Sequence, residues 1–425
     1  MLSLRVGVCR PFPGGVVSRG DAPGLARQAA RLGASYVLGT FNDNFFKQAA
    51  LLLAIHTGYA SFQSWATFLF ALPFVVFSAW GGWLADRYSK PRVLVRAKLL
   101  EVAALTLGIY ALPALDWHAM LAVIFLLGLN SALFNPALNG AIPELFPAEQ
   151  VPRVNALFKL ATTASILLGV ILGGVCLDQQ WWATPWPFGQ GLVASLALLA
   201  AVLGLVSALR IPALPAVASA NPFPRAALLD SCRHLAALRG DRSLFFVLLA
   251  EAFFYFLSTL LLLEINRLGV EGLGLSFTVT SLLSVALMLG ICAGALKAAR
   301  GTAESWRAFL LPALGGMALA LGLAAGVHML PPAARVPALL ACYGSVGFCG
   351  GIYLIPLASY MQVHPLSSSR GRVLGLSNFL SFSAILAAGQ GYFAVTLVSP
   401  AAGHAVLSAL AVAAMLLFRR LMKRC

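Results

Sequence analysis

Long, nearly continuous hydrophobic stretches separated by short polar segments make up most of this chain. A helix needs about 20 apolar residues to cross the ~30 Å hydrocarbon core of a bilayer. Twelve stretches of the chain approach or exceed that length. The pattern therefore predicts an all-α membrane protein with twelve transmembrane helices, expected at residues 34–56, 62–85, 93–113, 119–141, 155–177, 190–210, 244–264, 274–296, 307–328, 335–360, 373–397 and 403–420.

The longest polar interruption follows the sixth predicted helix and divides the chain into two similar halves. The segment RVNALFKLATTASILLG, from Arg153, resembles RVLGLSNFLSFSAILAA, from Arg372. Two parallel six-helix repeats with a substrate site between them are a known plan of secondary transporters. We therefore predict two pseudo-symmetric lobes and the following domains: an N-terminal tail (1–33), a first lobe (34–213), a cytoplasmic linker (214–243), a second lobe (244–420) and a basic C-terminal end (421–425).

The basic residues are distributed unevenly along this pattern. The chain of 425 residues is 60% hydrophobic and only 10% charged, yet its net charge is +15. Apart from Lys47, Arg267 and Arg335, we place all of its 29 Lys and Arg residues in segments on the side of the two termini. By the positive-inside rule both termini are then cytoplasmic. The excess charge is explained by topology and contact with membrane lipids, and we expect no nucleic-acid partner.

Sequence motifs for catalysis are missing from the chain. None of its six His residues lies in a His-x4-Asp pair, which an acyltransferase would use for general-base catalysis. Neither a P-loop nor metal-ligand spacing occurs, and the seven Cys residues show no paired short spacing. We therefore expect neither an enzyme nor a bound cofactor or metal.

The first predicted helix carries an unusually polar stretch, GTFNDNFFKQAA. Asp43 and Lys47 are one helical turn apart and can pair, and Asn44 and Gln48 extend the same polar face. Ionisable residues inside a membrane commonly mark the route of a substrate or an ion. A structural pair that holds this helix against its neighbours is the alternative.

Four further polar side chains lie within predicted helices. Asn135 and Asn139 share one face of helix 4, where they would either contact substrate or form hydrogen bonds between helices. Glu251 in helix 7 is a candidate coupling acid or a partner for a basic group. Tyr353 in helix 10 would either donate a hydrogen bond into a cavity or pack as an aromatic side chain.

The loop after helix 2, GGWLADRYSKPRVLV, contains a Gly, three further residues, an Asp and then several basic residues. This pattern resembles the cytoplasmic signature of the major facilitator superfamily, although Ser89 replaces its usual second Gly. We expect Gly82 to permit close helix approach, Asp86 to pair with a basic group or a helix N-terminus, and the basic residues to stay in water. A solvated basic turn is the alternative to this cytoplasmic gate, whose residues would be Gly82, Asp86, Arg87, Lys90 and Arg92.

Several segments together resemble one family in that superfamily. FNDNFFKQAALLL, the loop after helix 2, LNSALFNPALNGAIPELFP and GIYLIPLASYMQVHPLSSSRGRVLGLSNF are similar to the lysophospholipid transporter family, including its acyltransferase-fused members. The resemblance covers most of residues 34–397. It implies movement of lysophosphatidylethanolamine or lysophosphatidylglycerol across a bacterial inner membrane for re-acylation, by alternating access or by lateral lipid entry.

The resemblance also implies roles for individual residues and a partner. Asp43 and Asn44 would line the head-group route, and Lys47 would neutralise Asp43 or meet the phosphate. Because the chain ends soon after helix 12, we expect a separately encoded acyltransferase as partner. Two other functions remain open, which are transport of a soluble organic solute or drug and a non-transporting scaffold for an acyltransferase.

Overall fold

A computed structural model describes residues 22–147, 150–179, 187–212, 223–224, 226–300, 305–365 and 367–423. Within these residues the chain is helical apart from short turns, and the all-α prediction is confirmed. Every one of the twelve predicted helices is present, with a thirteenth, short helix in the linker. The helices are α1 (Ala22–His56), α2 (Phe62–Arg87), α3 (Lys90–Ala111), α4 (Trp117–Leu145), α5 (Val151–Leu177), α6 (Phe188–Leu209), α7 (Ala227–Ala237), α8 (Arg242–Arg267), α9 (Phe277–Ala298), α10 (Trp306–Ala325), α11 (Pro332–Val363), α12 (Ser367–Thr396) and α13 (Pro400–Met422).

Ten of the described helices are long and apolar enough to cross a membrane, judged by length and composition alone. The two long helices outside this set are α1 and α3, which carry charged residues in their central turns. Helix α1 also begins at Ala22, so the second part of the predicted tail is helical. Charged residues within the long helices thus exclude α1 and α3 from the set of ten.

The long helices pack as two groups that follow the predicted halves. Helices α1–α6 contact one another, as do α8–α13, and the main contacts between the groups join α2 to α12 and α5 to α9. The two repeated segments of the sequence lie in α5 and α12. The repeat therefore corresponds to equivalent helices that each contact the opposite group, while the exact domain boundaries stay predictions.

Glycines allow α9 and α11 to approach very closely. A Cβ added at Gly294 of α9 would lie 2.0 Å from the carbonyl oxygen of Phe348, and one added at Gly347 of α11 would lie 2.0 Å from that of Leu287. No side chain fits at such distances without movement of the backbone. Small residues at helix crossings are a common means of association in membranes, where dispersion contacts replace the hydrophobic effect.

Replacing Gly347 with alanine is therefore expected to destabilise the second helix group by about 1–3 kcal/mol through overpacking. The matched control is Gly375→Ala in α12, where an added Cβ would meet no atom within 4 Å. We expect a lower melting temperature of the detergent-purified protein for Gly347→Ala and an unchanged or higher one for Gly375→Ala. Equal melting temperatures would show that the α9–α11 contact is less tight than described.

The contacts between the helix groups are concentrated at one end of the bundle. We call the end where α1 begins and α13 ends the terminal side, and the opposite end the far side. On the far side, Asp178 after α5 accepts hydrogen bonds from the backbone N–H groups of Phe277 (3.1 Å) and Thr278 (2.7 Å) at the start of α9. Gln48 of α1 donates to Asn266 of α8 at 3.0 Å.

Gln63 of α2 adds further far-side bonds between the groups, since its amide donates to the carbonyl oxygen of Leu263 in α8 at 3.3 Å and to the Tyr392 hydroxyl of α12 at 3.2 Å. These hydrogen bonds hold the two helix groups together on the far side.

Candidate functional site

Asp43 occupies a buried position on α1, with 7% of its surface exposed. Ser131 of α4 donates a hydrogen bond to its Oδ2 atom. Its Oδ1 atom is buried and has no hydrogen-bond partner among the described residues. Leaving a buried carboxylate oxygen without a donor costs free energy. The Asp43 carboxylate can therefore accept a donor or a cation from a ligand.

Lys47 does not form the possible ion pair with Asp43, although both residues belong to the described part of the chain. Its ammonium lies 4.0 Å from the centroid of the Phe70 ring of α2. A cation above an aromatic face is stabilised by the negative charge of that face. The alternative of a structural ion pair is thus not formed, because the Lys47 side chain extends toward α2 while Asp43 is bonded to α4. The two opposite charges therefore contact different helices of the first group.

The remaining polar residues of α1 divide between two environments. Asn44 is partly exposed and donates to the carbonyl oxygen of Thr40 at 2.8 Å, one turn earlier. Gln48 is buried in the far-side contact, where it bonds to Asn266 and, at 3.4 Å, to Ser281. Helical spacing placed both residues on one face, but the second helix group covers only the part of that face nearer the far side.

Asn135 and Asn139 of α4 are partly exposed and exposed, respectively. Neither side chain has a hydrogen-bond partner among the residues that the structure describes. The alternative of hydrogen bonds between helices is therefore wrong for these two residues. That role falls to Asn130, which lies nearer the far side on the same helix and whose side chain donates to Glu101 of α3 at 3.3 Å. Contact of Asn135 and Asn139 with substrate stays a prediction.

Glu251 and Tyr353 lie in the second helix group. Glu251 is buried and accepts a hydrogen bond from Ser377 of α12, and no basic side chain pairs with it in the described ranges. Tyr353 is buried and donates to the carbonyl oxygen of Ala250 at 2.8 Å, with its ring stacked on Phe254. The structure thus gives Tyr353 the packing role, because its hydroxyl group is already bonded within the helix group.

A second ionic cluster was missed by the interpretation of the sequence, which assigned Lys98 to a basic loop. Lys98 lies inside α3 with 1% of its surface exposed and bonds to Glu101 at 2.5 Å. Glu101 is fully buried and also accepts from Asn42 of α1 at 2.7 Å. The signal was present, since an acid three residues after a base marks a helical pair. It was obscured by the neighbouring basic residues of the loop.

The proposed gate residues are divided between solvent and the helix interior. Asp86, Arg87 and Arg92 are exposed, whereas Lys90 has 5% of its surface exposed and forms an ion pair with Glu144 of α4. The expectation that all the basic residues of the loop stay in water is therefore wrong for Lys90. In the described ranges none of these ionic side chains bonds to the second helix group, so no latch between the groups is formed here.

Close helix approach at the end of α2 occurs one residue before the predicted glycine. A Cβ added at Gly82 would meet no atom within 4 Å, whereas one added at Gly81 would lie 2.6 Å from the carbonyl oxygen of Ala132 in α4. The role predicted for Gly82 thus belongs to Gly81. The pattern of the loop identified the correct turn of helix but not the face that packs.

These features define a polytopic membrane protein with two parallel groups of six helices and ionisable residues near their interface. A family model described as Major Facilitator Superfamily matches residues 32–389. The chain belongs to that superfamily, and the resemblance noted at the loop after α2 is confirmed at this level.

Curated relatives extend the comparison over nearly the whole chain. A protein of Yersinia enterocolitica named Lysophospholipid transporter LplT is 26% identical over 371 residues, which are 86% of each chain. Proteins of the same name from Serratia proteamaculans and Salmonella arizonae are 27% and 28% identical over 86% and 90% of this chain, and 88% and 93% of theirs.

Solved structures confirm the fold. A bacterial homologue of the iron transporter ferroportin, in an inward-facing state, has a TM-score of 0.71 at 16% identity and covers 94% of this chain and 98% of its own. The xylose transporter XylE from E. coli, in an inward open conformation, has a TM-score of 0.69 at 12% identity over 93% of this chain and 96% of its own. At such identities the similarity establishes the arrangement of helices and nothing about substrate.

Proposed function

We propose that this chain is a secondary transporter that moves lysophospholipid, of the ethanolamine or glycerol type, across a bacterial inner membrane for re-acylation. Its support is the name shared by relatives that match 86–90% of the chain. The observation that carries the proposal is the Asp43 carboxylate, which is buried with one unpartnered oxygen while Lys47 remains unpaired with it.

The proposed head-group site matches the charges of the substrate. The ammonium of lysophosphatidylethanolamine would donate to the Asp43 carboxylate, and its phosphate would meet the Lys47 ammonium. Asn44 on α1 and Asn135 and Asn139 on α4 are at least partly exposed. Their side-chain amides would bind phosphate or glycerol oxygens. The hydroxyl of lysophosphatidylglycerol would bond to Asp43 in place of the ammonium.

Three residues of the original candidate set take other roles in this proposal. Glu251 lies buried on α8 of the second helix group and is a candidate coupling acid, because its carboxylate is held by Ser377 rather than by a cation. We leave Gln48 and Tyr353 out of direct binding, since Gln48 bonds across the far-side contact and Tyr353 bonds to Ala250.

Alternating access supplies the movement in this proposal. The far-side contacts would separate as the terminal side closes, and the exposed residues Asp86, Arg87 and Arg92 would then meet the second helix group as the cytoplasmic gate. The terminal side is cytoplasmic under the positive-inside rule. A separately encoded acyltransferase would consume the delivered lipid, and the chain itself would perform no catalysis.

Uptake of labelled lysophosphatidylethanolamine by spheroplasts with and without this protein tests the proposal. We expect uptake that depends on the protein, with re-acylated lipid accumulating only when an acyltransferase is also present. Equal uptake with and without the protein would contradict the proposal and would favour a soluble solute as substrate. Uptake that occurs without the protein, combined with protein-dependent re-acylation, would instead indicate a scaffold.

A further inference from the structure

The buried Glu101 carboxylate is the meeting point of three helices. Its Oε1 atom accepts from the Asn42 side chain of α1 at 2.7 Å, and its Oε2 atom accepts from Lys98 of α3 at 2.5 Å and from Asn130 of α4 at 3.3 Å. All four side chains have at most 2% of their surface exposed. Three donors from three helices thus fix one carboxylate at the centre of the first helix group.

The partners of Glu101 directly precede the residues of the candidate site. Asn42 is followed by Asp43 on α1, and Asn130 is followed by Ser131 on α4. Ser131 in turn donates to Asp43. Two links therefore join α1 to α4. The first runs through Glu101 to Asn42 and Asn130, and the second is the direct bond between the next residues of the two helices, Asp43 and Ser131. Because adjacent residues on a helix are separated by a 100° rotation, fixing Asn42 and Asn130 fixes the directions in which Asp43 and Ser131 project.

The charges of the cluster differ from those of the candidate site in one respect. The Lys98 ammonium compensates Glu101, and all the donors of the cluster point to that carboxylate. Within the described ranges, Asp43 accepts a hydrogen bond only from the hydroxyl of Ser131, and its second carboxylate oxygen has no partner. The two buried acids thus differ in their remaining capacity to accept hydrogen bonds. Both oxygens of Glu101 have protein donors, whereas one oxygen of Asp43 has none.

We propose that Glu101 is a positioning residue that holds α1 and α4 in the rotation that presents the Asp43 carboxylate, bonded to Ser131, to the substrate head group. This inference rests on the proposed function. Lys98 serves as the counter-charge to the Glu101 carboxylate, and Asn42 and Asn130 transmit the position of Glu101 to the site.

A double substitution separates positioning from charge balance. Lys98→Met with Glu101→Gln removes both buried charges, and such replacements are often neutral for stability. A glutamine carbonyl, however, cannot accept from both asparagines in the geometry that two carboxylate oxygens provide. We expect a melting temperature close to that of the unmodified protein, together with an apparent KM for lysophosphatidylethanolamine that is raised at least tenfold. A wild-type KM in this variant would overturn the inference.

Coupling to Ser131 provides a readout that a merely structural role would not move. If Glu101 acts through the Asp43–Ser131 bond, Ser131→Ala raises KM in the unmodified protein but adds little in the double variant. Asn130→Ala gives the same test with the ion pair intact, should the double variant fail to fold. Additive effects on KM in both backgrounds would contradict the inference.

The same cycle of Ser131→Ala and Asn130→Ala is also measured on melting temperature, without substrate. Non-additive shifts are expected, because Ser131→Ala removes the direct bond of α4 to α1, and Asn130→Ala removes the bond of α4 to Glu101, which also holds α1 through Asn42. If the unmodified protein moves no lysophospholipid but the shifts are non-additive, the proposed function fails and the positioning role stands. If transport occurs and the shifts in melting temperature and KM are both additive, the inference fails alone.

Discussion

An Asp43→Asn variant is expected to lose most lysophosphatidylethanolamine transport while folding normally. Asparagine has the size of aspartate and its carbonyl oxygen can still accept from Ser131, but the negative charge that would bind an ammonium is gone. Hydrogen bonds to charged groups contribute about 1.5–3 kcal/mol, which corresponds to a loss of about 10- to 150-fold in apparent affinity. The measurement is initial uptake in spheroplasts as a function of substrate concentration, at equal protein abundance.

The chain offers a matched control for this substitution. Asp116 precedes α4 at the far side and accepts from the backbone N–H groups of His118 and Ala119, both at 3.1 Å. Asparagine caps a helix about as well as aspartate, so Asp116→Asn should transport normally. Full transport by Asp43→Asn would remove Asp43 from the head-group site. A variant that no longer accumulates as folded protein would assign Asp43 to structure instead.

A disulfide across the far side is expected to stop transport completely. A Cβ built at Gly389 of α12 lies 3.3 Å from the Cβ atom of Thr67 in α2, close to the ~3.5–4.5 Å that separates these atoms in disulfides. Cysteines at both positions would therefore bond in the described conformation. Because alternating access requires α2 and α12 to separate on this side, the oxidised variant should be unable to release or reload substrate.

Reduction of the same protein should restore transport, and each single-cysteine variant should be insensitive to oxidant. These controls also account for the cysteines of the natural chain, which are the same in every variant. Transport that continues at an unchanged rate in the fully cross-linked protein would contradict alternating access. It would favour a lipid that slides laterally past a closed far side.

The architecture was predictable because hydrophobic length and the distribution of basic residues depend on the bilayer rather than on packing details. The polar stretch of α1 was recognised for the same reason, since Asp43 and Lys47 are costly in hydrocarbon. Helical spacing predicted that these two residues share a face. It could not predict that Ser131 and Phe70, from two other helices, would bind them separately.

The missed cluster around Glu101 illustrates a second limit. Lys98 follows several basic residues that lie near the membrane boundary, so a count of charges along the chain assigned it to the loop. The structure buries Lys98 inside α3, where it bonds to Glu101, and Glu101 is also bonded by Asn42 of α1 and Asn130 of α4. Such a cluster is a property of tertiary packing, in which each member is unfavourable alone and is stabilised only by the others.

The gate loop shows the same dependence on packing at the level of single residues. Its pattern identified the correct segment, but Gly81 rather than Gly82 faces α4, and Lys90 turns inward to Glu144. A spacing of residues is fixed in the chain, whereas the face that a helix presents depends on the neighbours against which it packs.

The central claim is tested most directly with purified protein in proteoliposomes. Labelled lysophosphatidylethanolamine in the outer leaflet is extracted by external albumin, whereas that in the inner leaflet is protected, so the loss of this protected pool measures movement between the leaflets. The account predicts rapid loss of the protected lipid pool in liposomes with the unmodified protein, and a rate close to that of protein-free liposomes with Asp43→Asn. An unmodified protein that leaves the protected pool as stable as in empty liposomes would contradict it.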